Sequence, residues 1–124
     1  MMELECKVQN YAWGKVGNSS KVSQLKYGNS ECPDVNKEYA ELWMGTHPNA
    51  PSVVKSTSQL LSDWITSHPE SLGQGVRKEF GDKLPFLFKV LSVNKPLSVQ
   101  AHPNKVKLPY IIYLPQKFKK QDMS

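Results

Sequence analysis

Long apolar runs are what this chain most plainly lacks. Nowhere in its 124 residues is there a stretch approaching the ~18 consecutive apolar residues of a membrane-spanning helix, so none is expected. The start, Met1-Met2-Glu3-Leu4-Glu5-Cys6, is acidic and has no signal-peptide apolar stretch. Cysteine is scarce: Cys6 and Cys32 cannot form a disulfide framework and are expected as reduced thiols. These absences set the expectation of a cytoplasmic protein. They also leave the glycosylation-like triplet Asn18-Ser19-Ser20 without a secretory context. Missing too are a phosphate-cradling glycine loop, a nucleophile elbow, a paired Cys-x-x-Cys and any internal repeat.

What is present suits one small domain. A chain of 124 residues buries about 65% of its unfolded surface, and three Trp, four Phe and five Tyr can fill a modest core. The net charge of +5 is unevenly spread. Residues 1–105 carry twelve Lys and Arg against ten Asp and Glu, while the last nineteen carry Lys107, Lys117, Lys119 and Lys120 against Asp122. Basicity is therefore a property of the end of the chain, which reads as a solvated segment and not as a nucleic-acid surface.

Patterning predicts a first strand from Leu4 to Trp13, ending at Gly14. A short helix is expected over Ser19–Tyr27, with Val22 and Leu25 on one face, Ser19 or Ser20 as cap and Gly28 as stop. Residues 29–37 read as loop and Glu38–Gly45 as a strand. Leu60, Leu61, Trp64 and Ile65 form a helical stripe capped by Ser58 and ended by Pro69, and Ser71–Phe80 suits another short helix. Leu84–Val93 is a nearly continuous apolar run of strand length, followed by a turn at Asn94-Lys95-Pro96 and a last strand through His102.

That last strand carries the densest chemistry. Alternation sends Ser98, Gln100 and His102 to one face and Leu97, Val99 and Ala101 to the other. An imidazole nitrogen and an amide oxygen two residues apart suit zinc, but two donors do not complete a zinc site. Lys89 lies inside the apolar run Phe86–Val93. It is either an edge-strand lysine reaching water along its stem or a lysine facing a cavity, where it would bind an anion or move a proton. The hairpin implied by Asn94–Pro96 sets it beside the Gln100–His102 strand. His47 and His68 also precede proline; His68 ends a helix, and the echo between Thr46-His47-Pro48-Asn49 and Ala101-His102-Pro103-Asn104 is short enough to be chance. Glu41 is either a buried acid–base group or the outward side of an alternating strand, and pattern alone favours the second. Tyr11-Ala12-Trp13-Gly14-Lys15 reads as core and turn.

Four segments together resemble the amino-terminal part of type I mannose-6-phosphate isomerases. They are Val8–Lys15, Tyr39–Pro48, Leu84–Ser92 and Pro96–Lys105, in order and covering about residues 4–105. The resemblance implies a mainly β fold with helical additions, the amino-terminal portion of a cupin-type jelly roll. It implies zinc ligation by Gln100 and His102, an active-site lysine at Lys89 that binds substrate or transfers a proton, and Ser98 near a substrate phosphate. The implied reaction interconverts mannose 6-phosphate and fructose 6-phosphate by moving a proton between C1 and C2 through an enediol, feeding GDP-mannose synthesis. Zinc, one per complete enzyme, serves it as Lewis acid. A sugar phosphate is then the partner, with no nucleic acid or membrane, and a monomer is expected.

The family pattern stops at about Val106. The glutamate and second histidine ligands and the arginine that the resemblance implies have no counterpart in residues 106–124, which hold no Glu or His, and no Arg follows Arg77. The expected organisation is a partial catalytic domain over 1–105 and a divergent basic tail over 106–124. Such a shortened chain, supplying two ligands, is expected to be inactive alone. The alternative is a non-enzymatic fragment that binds a sugar phosphate or a protein partner.

Overall fold

A computed structural model describes residues 2–28 and 33–97. Among them, strands β1 (Leu4–Glu5), β2 (Lys7–Gln9) and β3 (Lys15–Val16) precede helix α1 (Lys21–Tyr27). Strands β4 (Glu38–Tyr39), β5 (Glu41–Met44), β6 (Val53–Val54) and β7 (Gln59–Leu60) follow. Helices α2 (Leu61–Ser67) and α3 (Gln74–Phe80) then lead to strand β8 (Phe88–Leu91). All pairings are antiparallel, in the orders β2-β5-β8, β1-β6-β7 and β3-β4.

The β2-β5-β8 sheet decides where chemistry can occur. Its register sets Val8 opposite Leu42 and Leu42 opposite Val90, and these face a core with Val22 of α1 and Tyr39. Because side chains alternate, Gln9, Glu41, Trp43, Lys89 and Leu91 project from the other face. One three-stranded sheet thus separates an apolar face from one that carries charged and aromatic side chains. A second core gathers Val54, Leu61 and Ile65 with Leu4, Trp64, Leu72 and Leu84, where α2 lies on the β1-β6-β7 sheet.

Ser20 explains how α1 is seated. Its Oγ accepts from the Val22 and Ser23 amides and donates to the Tyr39 carbonyl at 2.6 Å, so one hydroxyl caps the helix and ties it to β4. Gly28, at φ +65°, ends the helix in a conformation that glycine adopts without a Cβ clash. The buried face is Val22 and Ser23, while Leu25 stays half exposed. The expected Val22–Leu25 stripe is therefore only half right, because the small Ser23 is what lets the helix approach.

Three other expectations change. The single first strand is split at Cys6, since β1 pairs with β6 and β2 with β5 in different sheets. Ser58 does not cap α2; it sits at φ +56° in the turn between β6 and β7, and the Leu61 amide donates to the Ser52 carbonyl. The Leu84–Val93 run forms a strand only over Phe88–Leu91, because Leu84 is drawn into the second core and Pro85 has no amide to donate. The antiparallel sheets with helical additions agree with the expected fold class.

Candidate active site

On the functional face, a cavity of about 500 Å³ is lined by Tyr11, Trp13, Glu41, Trp43, Lys89, Leu91, Pro96 and Leu97. Trp43 and Lys89 are direct cross-strand partners, and Glu41 is two residues before Trp43 on the same face. The remaining wall comes from the loop after β2, where Tyr11 and Trp13 stack with ring centroids 5.7 Å apart. That loop is pinned by the Asn94 and Lys95 amides, which both donate to the Trp13 carbonyl, and by the Gly14 amide, which donates to Tyr11. The Asn10 side chain holds its start by donating to the Glu38 carbonyl.

Glu41 and Lys89 are the charged groups among the described residues that line this cavity. Glu41 is buried, at 5% exposure. A buried carboxylate needs compensation, and here two donor groups provide it. Trp43 Nε1 donates to Oε2 at 2.5 Å, and Lys89 Nζ donates to Oε2 at 3.2 Å and Oε1 at 3.4 Å. Lys89 Nζ also sits 5.5 Å from the centroid of the Trp43 ring, within cation–π range. The lysine of the apolar run thus faces the cavity. Its side chain is 38% exposed, so it keeps access to solvent while paired with Glu41.

Glu41 is the cavity residue that pattern alone placed outward. Its place between Ala40 and Leu42 favoured an outward position, yet β5 is central in its sheet and both faces are covered. The available signal was joint: Glu41 and Trp43 share parity, and pairing with the 88–91 strand brings a lysine to them. Tyr11 and Trp13, read as core and turn, are cavity wall.

The other histidines have structural work. The His47 ring meets the Trp43 ring edge-on at 4.9 Å, and its Nδ1 accepts from the Asn49 amide. His68 stacks on Trp64 at 4.4 Å, and its backbone amide donates to the Trp64 and Ile65 carbonyls, closing α2. Among the described residues no three His, Cys, Asp or Glu side chains cluster as metal ligands. Ser98, Gln100 and His102 lie outside the described residues, which end at Leu97 on the cavity rim.

The family model for Phosphomannose isomerase type I, catalytic domain, matches residues 1–121. This chain belongs to that family. Mannose-6-phosphate isomerase of Schizosaccharomyces pombe is 52% identical over 108 residues, which are 85% of this chain and 25% of that protein. The Homo sapiens enzyme is 49% identical over 107 residues, 82% of this chain and 25% of that protein. A crystal structure of mannose 6-phosphate isomerase bound with zinc and yttrium superposes with TM-score 0.69 at 37% identity, covering 95% of this chain and 29% of that one. The apo form from Salmonella typhimurium gives TM-score 0.69 at 38% identity, covering 95% and 29%. The phosphomannose isomerase fold of this chain is thus a partial one: it spans about a quarter of the length of the curated relatives it matches. Among the described residues no helix is long and apolar enough to cross a membrane.

Proposed function

We propose that this chain is the amino-terminal part of a zinc-dependent aldose–ketose isomerase acting on mannose 6-phosphate and fructose 6-phosphate, supplying GDP-mannose synthesis from the cytoplasm. The observation that carries this reading is Lys89, held by Glu41 in an aromatic-walled cavity on one face of the β2-β5-β8 sheet. Gln100 and His102 would hold zinc, since an imidazole nitrogen and an amide oxygen are donors that zinc accepts. When bound, the metal supplies Lewis acidity to a sugar carbonyl.

The chain's own residues do the rest. Trp43, Tyr11 and Trp13 offer flat apolar surface to the C–H faces of a sugar. Lys89 presents an ammonium that donates to substrate oxygen or moves a proton, and Ser98 would contact the phosphate. Residues 1–105 act as a partial catalytic domain and 106–124 as a basic extension of it. The 124 residues alone provide two zinc donors and are expected to turn over weakly or not at all. The near-balanced charge of residues 1–105 supports a reading without a nucleic-acid partner, and the sugar phosphate is the partner of this reading.

A coupled assay that converts fructose 6-phosphate onward to NADPH tests this. It is run on the 124-residue chain, and on the Schizosaccharomyces pombe enzyme with its matching segment replaced by residues 1–105. The chimera is expected to turn over mannose 6-phosphate, and the short chain to stay at background. A folded, zinc-loaded chimera without activity would overturn the isomerase reading. Turnover by the short chain would overturn the need for further ligands.

A further inference from the structure

Resting on the isomerase reading, we propose that Glu41 is a positioning residue that holds the Lys89 ammonium at one point of the cavity, with the N–H groups directed away from Glu41 left for the substrate. The two partners are unequally buried: the Glu41 side chain is 7% exposed and that of Lys89 is 38%. Lysine can reach water along its four-carbon stem, so the pair is not needed to rescue a buried ammonium. The carboxylate is the group that gives up its hydration, and a buried ion pair is a poor way to gain stability. What it gains is geometry.

The anchor is rigid and the anchored group is not. Glu41 stands on β5, paired on both sides by β2 and β8, and its Oε2 is fixed by Trp43 Nε1. Trp43 is itself buttressed by the His47 ring. Lys89 stands on β8, which among the described residues pairs only with β5, and has a flexible side chain. Two hydrogen bonds to Glu41 and the Trp43 ring face reduce its freedom to one arrangement. An ammonium has three N–H groups; one side of it faces the two Glu41 oxygens, and the N–H groups directed away from Glu41 remain for a ligand. Misplacing a reacting group by about 1 Å costs on the order of 100-fold in rate.

The test has a kinetic and a structural arm. In the chimera, Glu41→Gln is expected to lower kcat/KM about 10- to 100-fold. The loss must fall on the same parameter, kcat or KM, that Lys89→Met affects, and Glu41→Gln with Lys89→Met must be no worse than Lys89→Met alone. Glu41→Asp, which keeps the charge, should recover most of the activity. Wild-type kcat/KM in folded Glu41→Gln, or losses that multiply in the double variant, would overturn the proposal. In the full 124-residue chain, reductive methylation followed by peptide mass spectrometry reads Lys89 directly. Labelling is expected to be slow in the wild type and several-fold faster in Glu41→Gln; equal rates would overturn the proposal. Should Glu41→Gln fail to fold, NMR of the wild type decides. Lys89 ε-methylene signals shifted by the Trp43 ring support the placement, and unshifted signals refute it. If Lys89→Met leaves the chimera fully active, the isomerase role of Lys89 falls while labelling still judges Glu41.

Discussion

Replacing Gly14 by alanine puts a methyl group where the chain has no room for one. A Cβ there would lie 2.6 Å from Ala40 Cα, 2.7 Å from Ala40 Cβ and 2.8 Å from Ala40 N. Carbon atoms in good contact sit about 3.5–4.0 Å apart, so the deficit is roughly 1 Å against three atoms at once. Two of those atoms are backbone and cannot rotate away. Ala40 is fully buried, its amide donates to the Gln9 carbonyl at 2.9 Å, and its carbonyl accepts from the Ser92 amide at 2.8 Å. The Gly14 side is no freer, because the Lys15 amide donates to the Ser92 carbonyl at 3.0 Å. Overpacking costs about 1–3 kcal/mol, and loosening one of these bonds adds about 1 kcal/mol, giving roughly 3 kcal/mol in total. For a chain of this size that lowers the melting temperature by roughly 10 °C. Gly75 in α3 is the control, with nothing within 4 Å of its built Cβ. Gly75→Ala should therefore stabilise by about 0.5–1 kcal/mol through helix propensity. Thermal melting and urea unfolding of the two variants read opposite signs. A Gly14→Ala chain within about 0.5 kcal/mol of wild type would refute the close approach of the Tyr11–Gly14 loop to Ala40.

The remaining predictions probe the same frame. Ser20→Ala removes the cap of α1 and its tie to Tyr39, and urea unfolding should show a loss of about 1–2 kcal/mol. Leu42→Ala opens the first core and is expected to cost about 2–5 kcal/mol, against under about 1 kcal/mol for Leu25→Ala on the exposed side of α1; equal costs would refute the burial assignment. Glu3 hydrogen-bonds Lys55 and, with its charge, holds that ammonium above its ordinary 10.5. A raised value contributes stability that is complete below the unfolded pKa and lost as pH rises through the folded one, so Lys55→Met should leave the pH dependence of melting unchanged between about pH 6 and about pH 9. His102→Ala in the chimera should lose zinc on dialysis, measured by elemental analysis; full retention would refute its role as ligand.

The helices were readable because their signals are local. Ser20 and Gly28 bracket α1 within nine positions, and the stripe of Leu61, Trp64 and Ile65 marks α2 by spacing alone. The strands were readable as existing and not as bounded. Whether Leu4–Trp13 is one strand or two depends on β5 and β6, more than thirty residues away, claiming different parts of it. Ser58 looked like a cap because a hydroxyl preceded an apolar stripe, but the Ser52 carbonyl, brought in by the β6–β7 turn, took the amide that a cap would serve.

The site follows the same division, with one step more. Taken singly, Lys89 in an apolar run and Glu41 in an aromatic strand each have a bland explanation, and for each the bland one was at least as good. Register removes that symmetry. Once Trp43 stands opposite Lys89, parity places Glu41 on the same face, and a carboxylate at 5% exposure has no water to satisfy it. Each charge then explains the other: the lysine compensates the buried carboxylate, and the carboxylate directs the lysine into the cavity. Neither residue's role is encoded in its own neighbourhood of sequence. It is encoded in a pairing between positions 48 apart, which only the folded sheet brings together.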